Sequence, residues 1–576
     1  MKLLNCVVSF LALVLLVTSL SAQHLTSTAH SGIVQVPIGE DVYPFLRHLS
    51  VKGLINGFSE AELPITEYDV VTLLKSVDTT KLSSGESALR RKFLRTYARE
   101  PYEAISMFPA HDADPLFFEG IPTDKDKYLY RWKDDSTLSD FQVHGIGSLE
   151  FRDRTKPTPG KAILGVIGGR FTGTLSGHVG FFTETTNGQS FGDSTLASED
   201  PAIAQNKNFS LYTHTFYDNT IGELTYNYDW FTAKIAREAF AFGGSFQGNN
   251  IIISPDVQPT DFVSIGAHAG AVRYKAVVAS LLGEARFSAG ADSARYSSFG
   301  AGAYIDPKYL TLHDLTFIIG KDLELGFTDM VIYSRRFDLA YVNPFTFLKT
   351  VEASLNDRDN GLLGAHMRWR IADGIEVRGE GLVDDILASQ IGKGFWSNKF
   401  AWQLGGMWAA PFGLQDVDVA FEHTRVEPYT YSHFNSQNTF STSGQILGSA
   451  IGPNAMSFWG QLRWTPSEKF SLELDITLIE HGENIYDSTG KLIYNAGANF
   501  ELSLVNPDDE SRTYSILNGR RVNSLILDAT LQYELWRGLK FFVRGYSKSV
   551  NYLEGTPSNP QEIPYGFFGI GAKALF

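Results

Sequence analysis

A strict two-residue alternation over residues 363–385 constrains the fold more than any other feature of the chain. Apolar side chains alternate with glycine, histidine and arginine up to the turn at 372–374, and apolar and charged residues alternate again after it. Successive side chains of a β-strand point to opposite faces, so the stretch predicts a hairpin with one apolar and one charged face. A soluble sandwich would bury the apolar face, whereas an outer-membrane barrel would turn it to lipid. The hairpin alone is compatible with both.

The same alternation recurs from residue 141 to the end of the chain. Short links join some of these predicted strands, at 229–230, 372–374, 466–469 and 536–538. Long segments rich in Asn, Ser, Gly and Tyr are predicted to be loops, at 185–208, 426–454 and 482–521. Tight turns on one side and long loops on the other are typical of outer-membrane barrels, which have even strand numbers in bacteria. The pattern predicts about 18 strands.

The end of the chain favours the barrel over the sandwich. One face of the last predicted strand carries Phe568, Ile570, Ala572, Ala574 and Phe576. A terminal aromatic residue on an apolar strand face is similar to the assembly signal of outer-membrane barrels. After the N-terminal segment, no stretch approaches the roughly 20 apolar residues of a spanning helix, so a membrane form must be a closed barrel. The predicted fold class is membrane all-β: a large antiparallel outer-membrane β-barrel with a small N-terminal α-helical bundle.

Residues 1–22 predict a secretory signal peptide, with one lysine, an apolar run and small residues before Gln23. The alternative is a single membrane anchor, for which the apolar run is short. Cys6 is the only cysteine and lies inside this segment. The processed chain is therefore expected to have no disulfide and no cysteine-based metal site. The expected location is the outer membrane of a Gram-negative-type bacterium.

Residues 23–110 follow a helical period instead. The apolar residues of the first predicted helix fall at i, i+3, i+4 and i+7: Val42, Phe45, Leu46 and Leu49. Two further helices are predicted to begin at the capping-box patterns of Thr66 with Asp69 and Ser83 with Glu86. We expect a bundle of these helices on the periplasmic side. A linker is predicted over 111–140 and the transmembrane barrel over 141–576.

The charge balance and the motifs exclude several functions. The chain has 49 basic and 64 acidic residues, which is unfavourable for nucleic acid. It contains no phosphate-binding glycine loop, no His-Glu-x-x-His and no Gly-x-Ser-x-Gly. Asp384 and Asp385 are neighbours on a strand and point to opposite faces, so they cannot flank one glycosidic bond. The sequence therefore predicts no enzyme, no cofactor and no metal site.

The charged face of the central hairpin is the first candidate site. Symmetric closure about Asp373 pairs its charged residues across the two strands: Arg370 with Glu376, Arg368 with Arg378, and His366 with Glu380. The two facing arginines would rely on the diagonal glutamates, since like charges opposite each other are unfavourable. Two interpretations remain open: a salt-bridged wall of a wet lumen, or a charge lattice that screens or binds an acidic polymer.

The stretch 422–435 is the second candidate site. Tyr429, Tyr431 and His433 stand at alternate positions beside Arg425. Aromatic rings next to hydrogen-bonding groups suit sugars, whose C–H faces are apolar and whose edges are polar. The alternative is an aromatic girdle or a packed, in-folded loop.

Several stretches together resemble the Wzi-type outer-membrane capsule-assembly family. They lie at 36–55, 237–245, 341–347, 357–385, 422–435, 452–466 and 479–482. The resemblance implies an 18-stranded barrel with a helical bundle at its periplasmic end, which acts as a surface lectin and retains capsular polysaccharide. It does not supply binding residues that can be placed on this chain, and the long loops are where departures are expected.

The leading hypothesis is a non-enzymatic outer-membrane protein that binds and anchors capsular or extracellular polysaccharide. A passive porin for anionic or sugar solutes is the alternative, and an enzyme acting on lipid or glycan lacks a plausible nucleophile and base. Outer-membrane lipid and, during biogenesis, the barrel-assembly machinery are the other expected partners. The candidate polysaccharide-binding or lumen-lining residues are His366, Arg368, Arg370, Glu376, Arg378, Glu380, Arg425, Tyr429, Tyr431 and His433.

Overall fold

A computed structural model of the protein describes residues 29–98, 104–108, 114–115, 120–200, 203, 215–287, 303–502, 512–553 and 562–576. The predicted signal peptide, with Cys6, lies outside the described residues. None of the helices in these ranges is both long and apolar enough to cross a bilayer.

Within the described ranges, 18 antiparallel strands close into a barrel. Each strand pairs with its neighbours in sequence, and the last strand pairs with the first. The predicted fold class and strand number are confirmed. The strands are β1 (Ser139–Lys156), β2 (Gly160–Leu175), β3 (Val179–Gly192), β4 (Thr215–Tyr228), β5 (Phe231–Glu238), β6 (Thr260–Ala269), β7 (Val272–Phe287), β8 (Ala303–Ile319), β9 (Leu323–Ser334), β10 (Asn360–Ala372), β11 (Ile375–Asp385), β12 (Lys399–Ala409), β13 (Val417–Val426), β14 (Ala455–Ser467), β15 (Phe470–Glu483), β16 (Arg520–Trp536), β17 (Leu539–Tyr552) and β18 (Glu562–Leu575).

The apolar face of the strands is on the outside of the barrel. In the central hairpin, Leu363, Trp369 and Ile375 are 38%, 48% and 37% exposed, while the charged residues between them point inward. Closure satisfies the backbone groups of every barrel strand, which is the condition for crossing lipid. The question left open by the hairpin is thereby answered, and the architecture is that of a protein of the outer membrane.

The segment predicted as a linker contains strands. Asp126–Tyr128 belongs to a small parallel sheet with Ala104–Ser106 and Asp114–Pro115. Tyr130–Asp134 pairs with the start of β1, beyond the point where β18 ends. The first barrel strand begins at Ser139. The mixed polar and aromatic composition shows no two-residue alternation here, because each of these strands is short.

Three helices fill the end of the barrel at which the short turns lie: α1 (Val42–Val51), α2 (Glu67–Lys75) and α3 (Ser84–Tyr97). Both predicted capping boxes form, since the Thr66 and Ser83 hydroxyls accept the N–H groups of the third helical residues. After α1, Gly53 has a φ of +75°, and a Cβ there would lie 2.7 Å from the Asp373 carboxylate in the turn after β10. Short turns are periplasmic in barrels of this class. Residues 29–98 are called the plug below.

The helices depend on one another and on the barrel. Helices of this length are marginal alone in water. They share an apolar core: Val36, Val42, Tyr43, Phe45, Leu46, Leu49, Ile55, Phe58, Val70, Leu74, Val77, Leu89, Phe93 and Tyr97. Backbone groups join the plug to the turns of the wall, with Gly374 N donating to Val51 O at 2.8 Å. The plug is therefore an integral part of the fold.

Two further segments enter the barrel from the end opposite the short turns. Residues 239–259, the middle segment, connect β5 to β6, and residues 427–454, the inner loop, connect β13 to β14. The middle segment pairs with the plug through Glu62–Leu63 and Ala241–Phe242. Ser254 N in turn donates to Leu447 O of the inner loop at 2.8 Å. Plug, middle segment and inner loop thus form three layers along the barrel axis.

The predicted loops agree with the structure at two of three places. The inner loop begins after Val426, and the connection between β15 and β16 runs from Glu483 to Arg520. The prediction for 185–208 was wrong at its start, because β3 continues to Gly192. Thr185 and Asn187 on its outward face are polar and exposed. This part of the strand therefore lacks the apolar alternation that would have identified it.

Candidate functional site

The hairpin β10–β11 has the predicted register. His366 faces Glu380, Arg368 faces Arg378 and Arg370 faces Glu376. All six side chains point into the barrel and are at most 6% exposed. The wet-lumen interpretation is wrong for this part of the wall, because the plug and the middle segment cover it.

A chain of ion pairs connects this wall to the plug. Glu376 lies between Arg368 and Arg378, with N–O distances of 2.7 and 2.8 Å. Arg378 also binds Glu60 of the plug at 2.8 Å, and Glu60 binds Arg47 at 2.7 Å. The diagonal glutamate predicted to compensate the facing arginines is therefore Glu376. Removing one partner of a buried ion pair is unfavourable, because the other charge is left buried without a partner. This series of ion pairs therefore fixes the plug against the wall.

The remaining hairpin residues also hold inner segments. Glu380 accepts the N–H groups of Gly244 and Ile251 at 2.5 and 2.9 Å, so it organises the middle segment rather than an arginine. Arg370 donates to Ser50 O of the plug at 2.9 Å and to Asp322 at 2.8 Å. In this conformation the hairpin charges are occupied by the protein itself.

His48 of α1 makes a second polar contact between plug and wall. Its two ring nitrogens lie 2.7 Å from Asp418 of β13 and 2.8 Å from Glu86 of α3. Burial favours the neutral imidazole, but the two carboxylates outweigh it and raise the pKa of His48 to about 9. Burial of Glu86 is likewise outweighed, by hydrogen bonds from His48, Lys52 and the Ser83 N–H, which lower the pKa of Glu86 to about 2. Both groups are ionised at neutral pH.

This contact predicts a pH dependence of stability. The pKa of His48 is raised from 6.5, so its contribution is fully present below pH 6.5 and is lost as the pH rises through about 9. Urea unfolding of the detergent-folded protein should therefore show a lower free energy of unfolding at pH 9.5 than at pH 6.5. We expect His48→Gln to remove most of this difference. An unchanged difference in the variant would contradict the assignment.

The second candidate stretch does not form one surface. Arg425 lies on the outer face of β13 and binds Glu427 at 2.6 Å, whereas Tyr429 and Tyr431 are fully buried in the inner loop. The Tyr431 hydroxyl donates to Ile251 O at 3.2 Å. Burial, together with Lys399, lowers the pKa of His433 to about 4. The alternative of a packed, in-folded loop describes this arrangement.

The predicted alternation fails in this stretch for a backbone reason. The strand ends at Val426, and Tyr429 and Tyr431 have φ values of +65° and +72°. Their rings pack on other aromatic side chains, with Tyr431 stacked on Phe440 at 5.5 Å. Positions two apart therefore do not share a face here.

A polar cavity of about 430 Å³ lies between the middle segment, the inner loop and strands β14–β17. Sequence reasoning did not single it out. Its lining includes Gln247, Asn249, Asp256, Trp459, Gln461, Glu473, Asp475, Thr477, Asp528 and Tyr546. Amides, carboxylates and aromatic rings provide both donors and acceptors for a ligand with many hydroxyl groups.

The cavity walls are held in place by hydrogen bonds. Asp475 accepts from the Trp459 indole and from the Gln461 amide, each at 3.0 Å. Asp528 accepts from Arg544 Nε at 3.0 Å. Tyr546 stacks on Phe567 with ring centroids 5.3 Å apart. The polar groups are thus oriented before any ligand arrives.

An aromatic and cationic wall continues beyond Tyr546. The Arg152 guanidinium lies 5.3 Å from the Phe567 ring centroid, and Arg544 lies 5.7 Å from the same ring. Arg152 also binds Glu150 at 2.7 Å and Asp200 at 3.1 Å.

Within the ranges that the structure describes, no group of three or more His, Cys, Asp or Glu side chains could hold a metal ion.

The alternating pattern contained only part of this site. Trp459, Gln461, Asp475 and Asp528 lie in segments predicted as strands, but so do many other inward polar residues. Which of them border a cavity depends on where the middle segment folds. The only sequence signal was that the inward positions are polar.

No family model and no curated protein matches the chain. Among solved structures it is similar to Wzi of Escherichia coli, a carbohydrate-binding outer-membrane β-barrel involved in group 1 capsule assembly, with a TM-score of 0.54, 11% identity and coverage of 94% of this chain and 99% of that chain. OccAB2 of Acinetobacter baumannii has a TM-score of 0.41 and 10% identity, and covers 76% of this chain and 98% of its own. The outer membrane protein OprD of Pseudomonas aeruginosa has values of 0.38 and 9%, with 76% and 93% covered. The resemblance predicted from the sequence is confirmed as a similarity of fold to Wzi.

Proposed function

We propose that the protein is a non-enzymatic, lectin-like barrel that binds capsular or extracellular polysaccharide and anchors it at the cell surface. The observation that carries the proposal is the polar cavity around Asp475. Its amide and carboxylate groups suit sugar hydroxyls, and the nearby rings of Trp459 and Tyr546 suit sugar C–H faces. Outer-membrane lipid and, during insertion, the barrel-assembly machinery are its other proposed partners.

The charges of the cavity narrow the choice of sugar. Four carboxylates line it, those of Asp256, Glu473, Asp475 and Asp528, and arginines pair with two of them, Glu473 and Asp528. Close carboxylates repel a second anion in a site of low dielectric. The cavity therefore favours neutral or amino sugars over uronic acids, and the buried hairpin charges are not needed for this contact.

The plug argues against a passive porin. Its helices occupy the periplasmic end, and ion pairs connect the plug to the wall through Glu60, His48 and Asp41. A passive pore needs a continuous water-filled path, whereas an anchor needs only a surface on which polymer is held. Similarity in fold to a carbohydrate-binding barrel is consistent with the second role.

Replacing Asp475 with asparagine should weaken polysaccharide binding by about tenfold, equivalent to about 1.4 kcal/mol. The carboxylate orients Trp459 and Gln461, so its loss removes charge-assisted hydrogen bonds and the arrangement of its neighbours. The measurement is binding of fluorescently labelled surface polysaccharide, purified from the source cells, to the full chain folded in detergent.

Asp261→Asn is the matched control. This carboxylate is 60% exposed on the outer face, where it pairs with Arg237, and its neutralisation should leave affinity unchanged. Absence of binding by the parent protein would contradict the proposed function. Equal losses in the two variants would contradict the assignment to the cavity.

A further inference from the structure

The connection between β9 and β10 folds against the outer wall of the barrel. This segment, residues 335–359, is called the outer strap, and it contains the helix α4 (Leu348–Ser354). Val331 and Tyr333 point outward from β9 but are fully buried, because Tyr341 and Leu348 of the strap pack on them. The strap therefore covers part of the face that lipid covers elsewhere.

The strap reaches down to a level where the wall is exposed to lipid. The Tyr274 hydroxyl on the outer face of β7 donates to Pro344 O of the strap. Tyr274 pairs with Leu315, and Leu315 pairs with Phe327 of β9. Phe327 is 55% exposed on the outward face. The contact thus lies in the same row of the sheet as a lipid-facing phenylalanine.

The wall beneath the strap carries an acid that bare lipid would not tolerate. Asp329 lies on the outer face, two residues after Phe327, and is 8% exposed. Leu348 N of the strap donates to its carboxylate at 2.5 Å. An ionisable group on the lipid face is unfavourable. The strap therefore shields the Asp329 carboxyl group from lipid and gives it a hydrogen-bond donor.

Residues 337–347 of the strap expose several large apolar side chains. Phe345 is 90% exposed, Leu339 76%, Phe337 52% and Phe347 50%. Contiguous exposed apolar groups on this scale indicate an interaction surface. They adjoin a groove of about 560 Å³, which the strap forms with the outward residues Ile235 and Val263 of β5 and β6.

Backbone hydrogen bonds within the strap suit a water-poor environment. Tyr341 N and Val342 N donate to Asp338 O and Leu339 O, both at 3.2 Å. Phe345 N donates to Asn343 Oδ1 at 3.1 Å. Irregular backbone is excluded from hydrocarbon when its polar groups lack partners. The amide donors of Phe345 and Thr346 both have partners inside the protein, because Thr346 N donates to Asn343 O at 3.3 Å.

We propose that the outer strap is embedded in the outer leaflet, where Leu339, Phe345 and Phe347 contact lipid acyl chains and the adjoining groove holds one chain. The occupant is lipid because the strap is continuous with the lipid-facing wall and begins and ends at the extracellular ends of β9 and β10. This inference does not rest on the polysaccharide site.

Spin labelling tests the proposal. A nitroxide is placed at Phe345→Cys in a Cys6→Ser background, in full-length protein reconstituted into phospholipid vesicles, and its collisions with oxygen and with a water-soluble nickel chelate are measured. We expect an oxygen-to-nickel accessibility ratio at least severalfold above that of Phe434→Cys, whose side chain is 72% exposed on the inner loop. The ratio should match that of Phe327→Cys on the wall.

Two outcomes would overturn the proposal. A ratio like that of Phe434→Cys would place the strap in water. Low access to both reagents would mean that protein, such as a second copy of the chain, covers it. Because Phe345 makes little contact with the rest of the molecule, the labelled variant should fold, and circular dichroism verifies this before each measurement.

Discussion

Replacing Glu376 with glutamine is expected to destabilise the protein by about 3–5 kcal/mol, the cost of leaving buried charges without their partner. Glu376 is fully buried and is the shared partner of Arg368 and Arg378, which face each other across β10 and β11. The glutamine is nearly isosteric, so the loss measures charge rather than packing. The measurement is urea unfolding of the detergent-folded protein at pH 7.

Glu473→Gln is the control for this substitution. Glu473 binds Arg463 at 2.9 Å, but its side chain is 35% exposed, and a pair of this kind contributes about 0–1 kcal/mol. If the two variants lost equal stability, the ion-pair chain would not hold the plug. A rise in protease cleavage within the plug of Glu376→Gln alone would identify the element released.

Replacing Leu404 with arginine is expected to cost about 2–4 kcal/mol, as for a cation on the lipid face near the bilayer midplane. Leu404 is 48% exposed on the outer face of β12, between Trp402 and Trp408 on the same face. Tryptophans concentrate at the two membrane interfaces, which places Leu404 between them. Unfolding from lipid vesicles measures the effect.

Leu175→Arg is the matched control. Leu175 is 49% exposed, as Leu404 is, but it is the last residue of β2 at the short-turn end. A cation near the interface costs about 0–1 kcal/mol. Equal losses of stability at both positions would show that the cost of a cation on the outer face does not depend on its depth in the bilayer. That result would contradict the membrane assignment.

The barrel strands could be predicted because each one depends on a pattern contained within a short stretch of sequence. Alternation over 363–385 reports which side chains share a face, and this property does not depend on the rest of the chain. The capping boxes at Thr66 and Ser83 are equally local, since each involves residues three apart. Hence the hairpin register, two of the helix starts and most of the turns followed from the sequence.

The contents of the barrel could not be predicted in the same way. On β8 and β9, Leu312 and Ile332 point inward and are fully buried against the middle segment. Phe317 of β8 and Phe327 of β9 face outward. Both faces are then apolar and alternation is lost. The burial of Tyr431 and the lining of the cavity depend on contacts between distant segments, which no short window of sequence contains.

The attachment of the plug has a consequence for the order in which the molecule is assembled. Asp41 binds Lys540 of β17 at 2.5 Å across 499 residues of sequence, and His48 binds Asp418 across 370. Such non-local contacts form slowly, because the chain between them must first be ordered. Although the plug is made before any barrel strand, it completes its native contacts only after β17 is in place.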